Sequence, residues 1–319
     1  MKKRIVILMA MVLTVSICLA GCGSSRDEQA DGASGGKTTF TDDRGQEVTV
    51  ENPQKVAALS GSLAHIWILA GGELTCVTED ALEDGRLELD DQVVDAGRLP
   101  APSAETIIGA GTDFALLTST ISGHLDLAKT LEEAGITTAC FEVETFEDYL
   151  NLLDICTDLT GRKDLYEENG TSIQGQIDEV IDSCEGEKSP KVLLIRAYGT
   201  GAKAKNSENN MVGVMLKDLG CSNIADSDDS LLENVSMEKI IQEDPDFIFV
   251  TTMGGDQEAL DALAENLTNN PAWNTLTAVK EDHYVVLPTE LFHYKPNDRW
   301  GESYEMLAEI LYGEESGKQ

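Results

Sequence analysis

The segment Ser103-Ala104-Glu105-Thr106-Ile107-Ile108 returns 133 positions later as Ser236-Met237-Glu238-Lys239-Ile240-Ile241. The same offset relates Asp113-Phe114 to Asp246-Phe247 and Thr118 to Thr251, and Lys55-Val56 answers Lys191-Val192 at an offset of 136. Any two βα units of similar size look somewhat alike. A register held without a gap from Ser103 to Thr118 favours two related lobes instead. In both halves short apolar runs alternate with helical stripes, the pattern of βα units and a mainly parallel sheet. The fold class expected is therefore α/β, with two related lobes.

Between the copies, Leu165 to Cys184 carries apolar residues at Tyr166, Ile173, Ile177, Val180, Ile181 and Cys184, all on one helical face. Glu167, Gln174, Asp178, Glu179 and Asp182 fall on the other face. Twenty residues at ~1.5 Å each make a rod about 30 Å long. Two glycines oppose a helix, each costing about 1 kcal/mol relative to alanine. Gly170 lies on the apolar stripe, where a missing side chain permits close packing, whereas Gly175 has no such compensation. The organisation expected is a targeting segment over 1–21, a tether over 22–37 and an N-terminal lobe over 38–160. A connecting helix within 161–187, a C-terminal lobe over 188–313 and a tail over 314–319 complete it.

In the first lobe the expected strands are Thr38–Thr41 and Gln46–Val50 as a hairpin, then Lys55–Leu59, Leu74–Thr78, Gln92–Asp95, Phe114–Thr118 and Ile136–Phe141. Ser60 and Ser103 open helices. In the second lobe Lys191–Ile195, Phe247–Thr251 and Tyr284–Leu287 are strands, Arg196 to Asn210 is a loop, and Asp298 to Tyr312 is the last helix.

Lysine and arginine number 23 against 58 aspartate and glutamate, for a net charge of −35. Three of the basic residues, Lys2, Lys3 and Arg4, precede the apolar run Ile5 to Leu13, leaving only 20 for the rest of the chain. Such an excess of carboxylates repels phosphate backbones and anionic headgroups, so nucleic acid is not expected as a partner. An anionic small ligand would need a local basic pocket. Leu19-Ala20-Gly21-Cys22 then ends the targeting segment, and a Gly-, Ser- and charge-rich tether follows. Cys76, Cys140, Cys156, Cys184 and Cys221 are odd in number and lack C-x-x-C spacing, so they read as small core residues rather than a disulfide framework or zinc site.

The first of these features is similar to the bacterial lipoprotein signal, which implies lipidation at Cys22. Together with the paired Ser-x-Glu segments and the central helix, it resembles the substrate-binding lipoproteins of ABC importers for ferric siderophores, cobalamin and haem. The resemblance covers roughly Thr38 to Gly313. It implies one long helix joining two lobes, a ligand cleft between them, no resident cofactor and no catalysis. It also implies a monomer held to the cell membrane by its lipid, with an ABC permease and its ATPase as partners. Glu105 and Glu238 are then the permease-docking residues; a plain alternative makes them first-turn glutamates favoured by the helix dipole.

In open α/β sheets ligands sit beyond the carboxyl ends of the strands. Those ends nominate Ser60, Ser62, His65, Arg98, Arg196, Tyr198, Lys203, Lys205, Met253, His293, Tyr294, Lys295, Arg299 and Trp300. Gathered at one cleft, the six cations among them would supply what an anionic ferric chelate requires. Arg299 and Lys295 fit equally well as partners of the last helix or of Glu302. Haem would want axial ligands such as His65, Met253, His293 or Tyr294 facing the cleft, and cobalamin would need fewer cations, so both remain alternatives to a ferric siderophore. A surface-anchored hydrolase is the remote alternative, because neither a G-x-S-x-G elbow nor an H-E-x-x-H helix is present.

Overall fold

The central strands of both sheets are mostly apolar because both of their faces are covered. Val56 and Ala58, Phe114 and Leu116, Val192 and Leu194, and Phe247 and Phe249 point into one shared core. Their alternates point away from it. Ala57, Ala115 and Leu117 enter an outer core of the first lobe, and Leu193, Ile195, Ile248 and Val250 enter that of the second. Continuous apolar strands of this kind belong to parallel sheets covered on both sides. The structure, a computed structural model, describes residues 37–313 except 209, 228 and 234. The targeting segment, Cys22, the tail and the tether up to residue 36 lie outside the described residues.

A hairpin of β1 (Lys37–Thr41) and β2 (Glu47–Glu51) precedes the first sheet. Lys37, the last residue assigned to the tether, thus belongs to a strand. That sheet holds β3 (Val56–Ala58), β4 (Leu74–Val77), β5 (Val94–Asp95), β6 (Phe114–Thr118) and β7 (Thr137–Phe141). All its strands are parallel, in the order β5-β4-β3-β6-β7. The second sheet holds β8 (Lys191–Tyr198), β9 (Gly201–Lys205), β10 (Ser222–Asn223), β11 (Phe247–Met253) and β12 (Tyr284–Val286). Its order is β10-β8-β11-β12, with β9 antiparallel on β8.

The repeat has a physical basis. In the first lobe Asp113 accepts the Lys55 backbone N–H at 3.1 Å and that of Gln54 at 2.9 Å, while its own N–H donates to the Lys55 carbonyl. In the second, Asp246 accepts the Lys191 N–H at 2.7 Å and donates to the Lys191 carbonyl. One carboxylate in each lobe thus pins the start of its central strand pair. The helices Ala104–Gly109 and Met237–Glu243 match as well: Ile107 and Ile240 are fully buried, whereas Ile108 and Ile241 are 42% and 41% exposed.

The connecting helix runs from Lys163 to Ser183, with a π-helical turn at Glu167–Thr171. That turn docks on the first lobe, where the Tyr149 hydroxyl donates to the Asn169 carbonyl (2.6 Å) and Asn169 Nδ2 donates to the Leu69 carbonyl (3.0 Å). Gly170 is buried, and a Cβ there would stand 3.0 Å from Leu150 and 3.3 Å from Leu153. Gly175 faces open space. Further along, Ile173 and Ile177 are buried, and the helix meets the last helix, Trp300–Tyr312, where a Cβ on Gly301 would collide with Gln176. Cys76, Cys140 and Cys156 are buried free thiols, and Cys184 and Cys221 are partly buried ones.

The segment expected as a loop from Arg196 to Asn210 is instead the end of β8 turning through Gly199-Thr200 into β9. Lysine, alanine and glycine have little intrinsic preference for strands, so the pattern gave no signal. Pairing with β8 overrides that preference.

Candidate functional site

The β8–β9 register decides where the cations go. Arg196 stands directly opposite Lys203, and Lys205 lies two residues further along β9. Side chains opposite each other, or two apart, share a face of the sheet. Arg196, Lys203 and Lys205 therefore form one basic face on the second lobe. Burial pushes the Lys205 ammonium below its usual range, and repulsion from Arg196 and Lys203 adds to this. Burial also lowers the Arg196 guanidinium, against the pull of Glu144. Its Nε is buried with no hydrogen-bond partner among the described residues.

A fourth cation arrives from the segment after the helical turn Thr289–Phe292. Lys295 Nζ pairs with Glu144 Oε1 at 3.0 Å, its side chain 19% exposed. Burial lowers its ammonium, Glu144 opposes that, and Arg196 adds repulsion. The Lys295 carbonyl accepts from Arg86 (3.0 Å), whose guanidinium is fixed on Asp84 and lies over the Tyr294 ring. His293 neighbours this cluster; burial holds its imidazole below the usual value, and Arg196 and Lys295 reinforce the effect.

The first lobe contributes hydroxyls. Ser60, Ser62, Thr118 and Thr120 line a pocket of about 160 Å³ together with Glu142, Glu144 and Lys295. Ser60 also caps the helix Gly61–Leu69 through the Leu63 N–H. Each of these residues follows the carboxyl end of a strand, where open sheets take their ligands. A larger depression of about 550 Å³ sits at the amino ends of β3 and β4 and includes a single cation, Lys55. The chemistry favours the smaller pocket.

Arg196, Lys203, Lys205, His293 and Lys295 are thus neighbours, and Lys295 with Glu144 reaches the pocket lined by Ser60 and Ser62. The other nominated residues differ in their surroundings. Arg98 is exposed on its loop. Arg299 is bound to Glu302 at 2.7 Å, with Glu290 at 3.8 Å, the helix-partner alternative weighed above. Trp300 is a core residue, 1% exposed and edge-on to Phe146, because an aromatic at a helix start packs inward. His65 is buried, its Nε2 3.7 Å from Asp298 Oδ1; burial lowers its imidazole and Asp298 opposes the shift. Tyr198, two residues beyond Arg196 on the same face of β8, interacts with Arg196 and also lines a depression with Val235 and Leu267. Met253 is half exposed, and Tyr294 is 41% exposed beside His293. Sequence reasoning missed Glu144 and Arg86. The strand-end rule, applied to β7, would have found Glu142 and Glu144, whereas no sequence pattern marks Arg86.

A family model described as periplasmic binding protein matches residues 56–291. The chain is 21% identical over 285 residues to the Fe(3+)-citrate-binding protein YfmC of Bacillus subtilis, covering 88% of each. It is 24% identical over 305 residues to the iron-uptake system-binding protein of the same organism, covering 90% of this chain and 91% of that one. Among solved structures, an ABC transporter substrate-binding protein from Listeria monocytogenes superimposes with a TM-score of 0.68 at 19% identity, covering 82% of this chain and 99% of the other. The chain belongs to the periplasmic binding protein family.

Proposed function

We propose that this protein is the lipid-anchored, extracytoplasmic receptor of an ABC importer, capturing an anionic ferric chelate and presenting it to the membrane permease. The observation that carries the reading is electrostatic. A chain with a net charge of −35 sets Arg196, Lys203 and Lys205 on one face of a hairpin, close enough to Glu144 and to Lys295 at the pocket for their charges to interact. Cations are costly to crowd unless an anion repays them. Relatives named for ferric citrate and iron uptake support the same ligand class. Haem has less support, because His65 is buried against Asp298 and Met253 is not enclosed. Energy for uptake comes from a separate ATPase, and this chain catalyses nothing.

Docking to the permease is assigned to Glu105 and Glu238. Both are exposed, and each lies three residues before an exposed isoleucine on the same helical face. Lipidation at Cys22 holds the receptor at the membrane as a monomer. A thermal-shift panel of ferric citrate, a ferric trihydroxamate, haemin and cobalamin tests the ligand class, since a ligand of the native state raises its melting temperature. Ferric citrate is expected to give the largest rise. A rise with haemin or cobalamin alone would contradict the reading.

A further inference from the structure

Among the described residues Glu144 is the carboxylate that opposes the burial of both Arg196 and Lys295, and it holds Lys295 at 3.0 Å. It sits between β7 and the helix Phe146–Thr160, on the opposite lobe from the cations. Its backbone is fixed from behind, its N–H donating to Asp148 Oδ2 at 3.1 Å. Lys295 is fixed in turn by Arg86 on its carbonyl. Glu142 is the second acidic neighbour, and it too interacts with Lys295. The cations outnumber these carboxylates, and Arg196 Nε keeps an unused buried donor.

We propose that Glu144 tempers the affinity of the cleft for anionic chelates by acting as a built-in competitor for Lys295 and Arg196. This rests on the ferric-chelate reading above. An incoming chelate must replace the Glu144 carboxylate with anionic groups of its own. A polycarboxylate chelate brings several charge-assisted hydrogen bonds to Lys295, Arg196 and Lys205 at once. A neutral hydroxamate chelate brings none strong enough to release Lys295, so it leaves the ion pair closed and binds poorly. Displacing Glu144 is then a cost that falls on the anionic ligand and sets how tightly it is held.

Titration of wild type, Glu144→Gln and Lys295→Gln with ferric citrate and with a neutral ferric trihydroxamate tests this. Glu144→Gln is expected to bind ferric citrate about tenfold tighter, with the trihydroxamate unchanged, and Lys295→Gln to weaken ferric citrate. Weaker ferric citrate binding by Glu144→Gln, or an equal change for both chelates, would overturn the proposal while leaving the iron-chelate reading intact. If wild type binds neither chelate, that reading fails instead. Iron-free citrate then decides on Glu144 alone: a larger rise in melting temperature for Glu144→Gln than for wild type supports the competitor role, and an equal or smaller rise refutes it.

Discussion

The two lobes are alike where they face away from the cleft and different where they face it. Each has an aspartate pinning the start of its central strand pair, Asp113 on Lys55 and Asp246 on Lys191. Each opens a short helix with Ser-x-Glu-x-Ile-Ile, burying the first isoleucine and exposing the second. At the carboxyl ends of the strands the likeness stops. The first lobe offers Ser60, Ser62, Thr118 and Thr120 with Glu144, whereas the second offers Arg196, Lys203 and Lys205 on the β8–β9 hairpin, which has no counterpart in the first lobe's five-stranded sheet among the described residues. The shared parts build the scaffold and the outward surface. The proposed function assigns recognition to the divergent parts, with hydroxyls and carboxylates on one side and cations on the other.

The largest effect should come from the shared surface. Combined Glu105→Lys and Glu238→Lys substitution is expected to abolish uptake by the assembled transporter while leaving chelate affinity unchanged. Either substitution alone should cause a partial loss. Complete loss from one lobe alone would break the equivalence of the two, and a loss of affinity would remove the docking role.

The buried sites come next. Gly170→Leu forces a side chain against Leu150 and Leu153 and should cost about 1–3 kcal/mol in denaturant unfolding. Asp113→Asn and Asp246→Asn should each cost about 1–3 kcal/mol by weakening a strand-start clamp. Asp113 should be the more costly, since it accepts two backbone N–H groups from Gln54 and Lys55. Equal costs would show that the clamps matter less than the sheets they start. Gly175→Ala, in open space on the same helix as Gly170, should stabilise the protein by about 0.5–1 kcal/mol.

The smallest effect is that of pH. His65, His124 and His293 are all held below their ordinary value of 6.5, in each case chiefly by burial. Below that value the unfolded chain takes up protons that the folded chain refuses. The contribution of these imidazoles to stability should therefore be constant above about pH 7 and fall as the pH drops through 6 and 5, read as the difference in melting curves between wild type and a variant with the three histidines replaced by glutamine. The same dependence on pH in both proteins would contradict the burial of these imidazoles.

Much of this was written in the chain. Repeated Asp-Phe and Lys-Val pairs marked the strand starts of both lobes because those residues make the same backbone bonds in each. The central helix was legible from its apolar stripe, and so was the different standing of its two glycines. Its π-helical turn was not, since that turn depends on Tyr149 and Leu69 of the neighbouring lobe. The site was legible as a list of cations but not as a gathering. Arg196, Lys203 and Lys205 share a face only through strand pairing that the Gly-, Ala- and Lys-rich β9 does not advertise. Trp300 and Arg299, adjacent to the cleft segment in sequence, turn inward to the core and outward to Glu302.

Equilibrium titration of wild type and the Arg196→Gln, Lys205→Gln double variant with ferric citrate tests the division of labour between the lobes most directly. Wild type is expected to bind, and the double variant to lose about a hundredfold or more in affinity, as removing two charge-assisted contacts requires. Unchanged affinity in the double variant would contradict the claim that the second lobe holds the charge of the ligand.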